Sequence, residues 1–344
     1  MAGKYGATAC GQTGRVTMEK HVSVLASINT DITASASRLP KRGETVEGYS
    51  VDMFGGGKGA NQSIQCALLG LDTRVIGMTG DDMQGALVRE NLTKRGVNID
   101  YVEISKEYRT GCCSIYVDKN GDNTLVYAPG ANRQITKELL EKSRGVIESA
   151  SVFMTQLEIN IDAVVYALKM AHDAGVTTIL NPAPALPFPE EAYQFVDYLT
   201  PNETECEGYT GILRSGMPVE EWQEKTFAWF HARGIKNLCI TMGKEGAYFA
   251  SAEETLFVPA FSVKPVDTTA AGDAFHGGLV YGILNGLSME KTLQFGNACG
   301  GLSTLTMGAQ NSIQPLEEVL SFLRENHIDV STAVSTVYGA ERMQ

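Results

Sequence analysis

Residues 54–62 read FGGGKGANQ: three glycines, a lysine, a fourth glycine, and then Ala60, Asn61 and Gln62. A run of glycines leaves the backbone bare and free to take positive φ, as needed where another group approaches the chain closely. As a phosphate-cradling loop of the GxxxxGK[ST] type the stretch fails, because Lys58 is followed by Gly59. Gly55-x-Gly57-x-x-Ala60 formally fits a dinucleotide fingerprint, but the first apolar run of the chain, 21–28, carries no such turn. The glycines alone read as a strand-to-helix turn made for packing. Lys58, Asn61 and Gln62 add ammonium and amide groups at a helix mouth beside bare backbone, which suits a polyhydroxylated ligand.

Outward from this turn, short β-rich apolar runs alternate with amphipathic ones. HVSVLASI (21–28), VIGMTG (75–80), VFMTQL (152–157), TTILN (177–181), VDYLT (196–200) and NLCITM (237–242) read as buried strands. Segments 61–70, 83–95, 161–174, 218–233 and 272–286 read as helices. This alternation predicts an α/β fold with a mostly parallel sheet covered on both faces. Ligands of such folds gather at the carboxyl ends of the strands, where Asn29, Asp31, Glu158, Asn181, Asn202 and Thr241 fall. Residues 32–53 and 109–128 break the alternation, and the second joins two β-like runs through Asn120-Gly121, a hairpin signal. Both are expected in a small sheet outside the main core, placed to act as a lid.

With 40 acidic against 28 basic residues, the 344-residue chain has a formal charge of −12. That charge argues against nucleic acid or an anionic membrane as partner. An anionic ligand would need backbone amides, helix ends or metal ions. The seven cysteines (10, 66, 112, 113, 206, 239 and 299) form no CxxC pair and read as reduced thiols of a cytoplasmic protein. The five histidines (21, 172, 231, 276 and 327) show no metal-ligand spacing, and His276 reads as packed or solvated. No apolar segment reaches the roughly 18 residues of a membrane span. Residues 1–20 lack the apolar core of a signal peptide and read as a flexible extension, with Met18 as an alternative start. Residues 329–344 read as a tail.

A second constellation, VDTTAAGDAFHGGLVYGIL, begins at Val266. Ala270, Ala271 and Gly272 lead into an apolar-periodic helix, with Thr268 and Thr269 upstream as expected caps. Free amides at such a helix start, aided by the dipole, form an anion site. Asp273 in the first turn reads either as a capping carboxylate or as a base that takes a hydroxyl proton beside that anion site. A carboxylate at a helix N-terminus is expected to be strongly acidic.

GGGKGANQ and DTTAAGDAF together resemble the two signatures of the PfkB family of sugar kinases. SINTD (27–31), TGDD (79–82), TQLE (155–158), NPAPA (181–185), TPNETE (200–205), TMGKEG (241–246) and MGAQNS (307–312) are similar to its ribokinase branch, over residues 21–328. The resemblance implies a ribokinase-like three-layer αβα sandwich with a small β-sheet lid. It implies ATP-dependent phosphorylation of D-ribose at its 5-hydroxyl. Fructose, 2-keto-3-deoxygluconate, deoxyribose or a nucleoside are alternative acceptors, and a non-catalytic sugar-binding kinase-fold protein is an alternative reading of the chain.

Carried over by position, the resemblance implies that Asn29, Asp31, Gly57, Lys58, Asn61 and Glu158 hold the sugar, with Asp273 as base. ATP is implied near Asn202, Glu205, Thr241, Gly243, Gly246 and Asn297. Asn202 and Glu205, spaced i, i+3, are expected on one face of a short helix, toward nucleotide, as a helix cap, or in both roles at once. The γ-phosphoryl group is implied at the Ala270–Asp273 anion hole, with Mg²⁺ bridging the phosphates. Potassium is implied beside Asp267, Thr269, Ser303, Thr306, Gly308 and Ser312, mostly through backbone carbonyls. Two departures stand out: an extra glycine before GGKG, and Thr306 where an arginine is frequent. Exposed lid edges predict a homodimer through the lid sheets.

Overall fold

The computed structural model describes residues 20–329, so the expected extension over 1–20 and tail over 329–344 lie outside the described residues except at their inner ends. In chain order the strands are β1 (His21–Leu25), β2 (Asn29–Ala36), β3 (Gly48–Gly56), β4 (Asp72–Gly80), β5 (Asn98–Ser105), β6 (Gly111–Val117), β7 (Asn123–Ala128), β8 (Val152–Thr155), β9 (Thr177–Leu180), β10 (Tyr198–Leu199), β11 (Asn237–Thr241), β12 (Gly246–Ala250) and β13 (Thr255–Pro259). The helices are α1 (Lys58–Leu68), α2 (Met83–Lys94), α3 (Lys137–Lys142), α4 (Arg144–Glu148), α5 (Ile161–Asp173), α6 (Glu203–Thr210), α7 (Val219–His231), α8 (Ala271–Leu284), α9 (Met289–Ser303) and α10 (Leu316–Glu325).

Nine strands form one sheet in the order β13-β12-β11-β10-β9-β8-β1-β4-β5. Pairing from β11 to β5 is parallel, and β12 and β13 turn back antiparallel at one edge. The inner strands are buried on both faces, so their sequences run apolar without alternation. Successive residues still part company: Phe153 belongs to the apolar cluster that holds Val164, Leu168 and Trp222, and Met154 to the one that holds Ile64 and Val280. Helices on both faces make three layers. On the second face α8 and α9 approach closely because Gly278 lies against Gly296, where an added Cβ would come within 2.8 Å of backbone.

A separate four-stranded sheet, β3-β2-β6-β7, forms the lid. The run 21–28, expected as one strand, is split: β1 ends at Leu25 and the lid begins at Asn29. The turn between them is pinned, with the Ala26 amide on the Ile76 carbonyl and the Ala60 amide on the Ser27 carbonyl. The core sheet and lid therefore meet where GGGKGANQ begins its helix. The strand expected over 196–200 shrinks to the two residues of β10, because Asp197 turns its carboxylate onto the amide and hydroxyl of Thr178.

Candidate active site

Gly57 caps α1 at φ +93°, and an added Cβ would stand 2.6 Å from the Ser27 carbonyl oxygen. Only glycine makes the turn there. That turn aims the Lys58 amide at Glu158 Oε2 (3.1 Å), which also accepts from the Ser27 hydroxyl (2.6 Å). Asn29 Nδ2 lies 3.4 Å from the same oxygen. Asn29 is oriented from behind by Asn132, whose Nδ2 donates to Asn29 Oδ1 at 2.7 Å and whose Oδ1 accepts the Ile28 amide at 2.9 Å. Asn132 lies in a short helical turn that carried no sequence signal.

Asp273, in the first turn of α8, is buried. Its Oδ2 accepts from Asn61 Nδ2 at 2.8 Å and its Oδ1 from Gln62 Nε2 at 3.1 Å. Burial raises its pKa, against the opposing pull of the Lys58 charge and the two amide bonds. The expected acidity of a helix-start aspartate is thus overturned by desolvation. Asp31, on the lid strand β2, is pushed up to about 6 by burial first, then by the Glu158 and Asp273 charges. Burial pulls Lys58 down, but Asp273, Glu158 and Glu205 outweigh it, and its pKa ends above the ordinary value. The site is one ammonium among carboxylates, with Asn29, Asp31, Gly57, Lys58, Asn61, Glu158 and Asp273 brought together.

Ala270 takes the left-handed conformation (φ 63°), unusual for a residue with a side chain and worth on the order of 1 kcal/mol of strain. It caps α8 without a side-chain bond, so the caps expected from Thr268 and Thr269 do not form. The Thr269 hydroxyl is drawn to Asp267 Oδ1 instead (2.7 Å). As a result the first-turn amides of Gly272 and Asp273 meet no acceptor among the described residues. His276, set aside on sequence, is buried one turn along. Its Nδ1 lies 2.5 Å from the Gly272 carbonyl and its Nε2 2.7 Å from the Thr200 hydroxyl. Nε2 also lies 3.2 Å from the Thr200 carbonyl, so each ring nitrogen faces a backbone oxygen. Burial lowers the pKa of His276 to about 4, keeping the ring neutral.

A cleft of about 670 Å³ opens beside this turn, lined by Ala271 and Gly272 and, opposite, by Asn202, Thr241, Gly243, Gly246 and Asn297. Asn297 spends its amide nitrogen on the Val258 and Pro259 carbonyls. Glu205 does not line the cleft. Its carboxylate accepts the Asn202 amide while Asn202 Oδ1 accepts the Glu205 amide, both at 2.8 Å, a complete capping box. The expected cap is therefore formed by this pair.

Asp267 closes the far side. Its Oδ1 takes the Thr269 amide and hydroxyl, and its Oδ2 takes the Gly308 amide at 2.9 Å. Burial raises its pKa, but these bonds prevail and hold it low. The Ser303 and Ser312 hydroxyls turn to the carbonyls of Gly300 and Ala309, and Thr306 is exposed. The bonds to Asp267 bring Asp267, Thr269 and Gly308 together.

The family model described as pfkB family carbohydrate kinase matches residues 19–316. The chain is 34% identical to the ribokinase of Haemophilus influenzae over 306 residues, covering 89% of this chain and 99% of that protein. It is 36% identical to mouse ribokinase over 312 residues, 88% of this chain and 96% of that one. Among solved structures, the Arabidopsis thaliana ribokinase complexed with ribose and ATP superposes with a TM-score of 0.85 at 30% identity, covering 89% of this chain and 99% of that one. Matching signature segments, a lidded three-layer fold and full-length relatives together make this chain a member of the pfkB family of carbohydrate kinases.

Proposed function

We propose that this chain transfers the γ-phosphoryl group of ATP to the 5-hydroxyl of D-ribose. The observation that carries the reading is the first turn of α8. One buried carboxylate, Asp273, faces the polar floor of α1, while the neighbouring amides open on the cleft. A hydroxyl on one side and a phosphoryl group on the other would meet at that turn.

In this reading Asn29, Asp31, Lys58 and Glu158 bind the hydroxyls of the sugar. Asp273, held by Asn61 and Gln62, orients the attacking hydroxyl and takes its proton. Burial makes it a better base than an exposed aspartate. The amides of Gly272 and Asp273 stabilise charge on the transferring group, and His276 fixes the Gly272 peptide that presents them. Asn202, Thr241, Gly243, Gly246 and Asn297 take the rest of the nucleotide. In this reading Mg²⁺ would enter with the nucleotide. Such an ion supplies charge neutralisation. On the same reading Asp267 supplies the one charge for a hard monovalent cation such as potassium, whose other ligands would be mostly backbone carbonyls.

The lid face turned away from Asp31 carries Val51, Tyr116 and Val126, exposed by 72%, 44% and 68%. A second copy packed there makes a homodimer. The six described cysteines are free, in keeping with the cytoplasm, and no helix among the described residues is long and apolar enough to cross a membrane.

An ADP-release assay with Mg·ATP and D-ribose, deoxyribose, fructose, 2-keto-3-deoxygluconate and adenosine tests the reading. Fast turnover on ribose, raised by potassium, is expected. Turnover on another acceptor alone overturns the sugar, and ATP binding without turnover on any overturns the activity.

A further inference from the structure

The amide of Asn61 reaches Asp273 with a definite sense, nitrogen toward the carboxylate, and its other end is also occupied. Gln310 Nε2 donates to Asn61 Oδ1 at 3.1 Å. Gln310 Oε1 in turn accepts from Asn91 Nδ2. Asn91 Oδ1 accepts from Arg95 Nε at 3.3 Å, and Arg95 Nη2 holds Asn311 Oδ1 at 3.1 Å. Gln310 and Asn61 are both buried.

An amide has a donor end and an acceptor end, so in principle each of these three side chains could be turned round. The termini forbid it. A guanidinium can only donate and a carboxylate can only accept, so a chain running between them has one consistent sense. Arg95 sets it at one end and Asp273 at the other. Gln62, the other partner of Asp273, takes its sense from Gln156 Nε2 at 2.6 Å, with no charged group behind it in the hydrogen bonds. Space for the link is provided by Gly55. A Cβ there would strike Gln310 Oε1 and Asn91 Nδ2, which gives the extra glycine of the GGGKG stretch a structural reason.

We propose that Gln310 is a positioning residue: it holds Asn61 in the only amide orientation that donates to Asp273. Arg95 and Asn91 fix the sense of the link. Gln310 touches no reacting atom and acts through Asn61. The proposal rests on the kinase reading above and deepens it.

Two variants separate orientation from packing. Gln310→Met keeps the bulk and removes both polar ends. Gln310→Glu keeps the shape but can only accept, so it draws the Asn61 nitrogen to itself and turns the Asn61 oxygen on Asp273. A filler role makes Glu the milder change; an orienting role makes it the harsher. Expected is a kcat lowered ~10- to 100-fold in Gln310→Met and further in Gln310→Glu, with both KM values within roughly threefold of wild type. In an Asn61→Ala background the Gln310→Met effect should fall below roughly threefold, because the residue it orients is gone. Wild-type kcat in either variant, or the same loss with and without Asn61, overturns the proposal.

Turnover of the unmodified enzyme decides the kinase reading separately. If no acceptor is turned over, the side-chain amide protons of Asn61, identified by their loss in Asn61→Ala, still decide the proposal by NMR. Slow solvent exchange in wild type and fast exchange in Gln310→Met support it. Equal exchange in both overturns it.

Discussion

Asn61, in the first turn of α1, donates to Asp273, in the first turn of α8, across 2.8 Å and 212 positions of sequence. The bond joins the two glycine-rich signatures of the chain into one site. Asp273 therefore has its carboxylate oriented before any ligand arrives, and its amide partners replace water that burial has removed.

Asp273→Asn removes the proton acceptor while keeping size and polarity. Turnover is expected to fall roughly 10²- to 10⁴-fold, the range for a positioned general base. The cleft residues that would hold the nucleotide are untouched, so ATP affinity by calorimetry should stay nearly unchanged. Equal losses of affinity and turnover would show Asp273 to be a binding residue only.

Asp31 gives the ligand-free protein a pH dependence of calculable sign. Its carboxyl rises from the ordinary 3.8 to about 6 in the folded chain. Between those values the folded state holds more protons than the unfolded one. The contribution is complete below the lower value and is lost as pH rises through the upper one. Asp31→Asn should therefore stabilise the ligand-free protein at neutral pH, by on the order of 1–2 kcal/mol after allowing for its partial exposure. It should also flatten the loss of stability between those values. Urea unfolding of both proteins across that range checks it, and a variant less stable than wild type at pH 7 contradicts it. Sugar affinity should weaken in the same variant.

Much of this arrangement was legible in the sequence, for physical reasons that can be named. The inner strands declare themselves because burial on both faces demands unbroken apolar runs such as VFMT. Glycine at 57 declares itself because the turn into α1 needs positive φ and leaves no room for a Cβ beside the Ser27 carbonyl. What stayed hidden depends on contacts between distant segments. β5 alternates with acidic residues, as suits the edge of a sheet, and α9 is rich in glycine because α8 lies against it. The amides of Asn132 and Gln310 and the ring of His276 have no local spacing that marks them. Their roles exist only once β1, α1 and α8 are assembled. The spacing of Asn202 and Glu205 serves two readings at once, and the structure shows the cap.

Gly57→Ala tests the turn on which the sugar side is built. Its φ of +93° is disfavoured for any residue with a Cβ, and that Cβ would stand 2.6 Å from the Ser27 carbonyl. Strain of this kind amounts to on the order of 1–3 kcal/mol, and relief of the clash must move the Ser27 turn or the start of α1. Glu158 and Lys58 are bonded through that junction. A lower melting temperature together with a raised sugar KM is expected. Unchanged values of both would mean that the turn relaxes without disturbing the site.

The lid offers the last test. β2 carries Asp31 on one face and Ile32 and Ala34 on the other. Register places Val51 and Tyr116 opposite Ala34, and Val126 opposite Ser114, so these side chains share the face turned from the sugar. An exposed apolar sheet face of this kind calls for a partner. Packing against a second copy would also stiffen the strand that carries Asp31. Sedimentation of the unmodified protein is expected to give a dimer, and Val51→Glu combined with Val126→Lys a monomer. If the dimer stiffens the strand that carries Asp31, the monomeric variant should show a raised sugar KM and a nearly unchanged KM for ATP. A monomeric wild type removes the dimer from the reading. A monomeric variant with full sugar affinity would leave the dimer in place but separate it from the site.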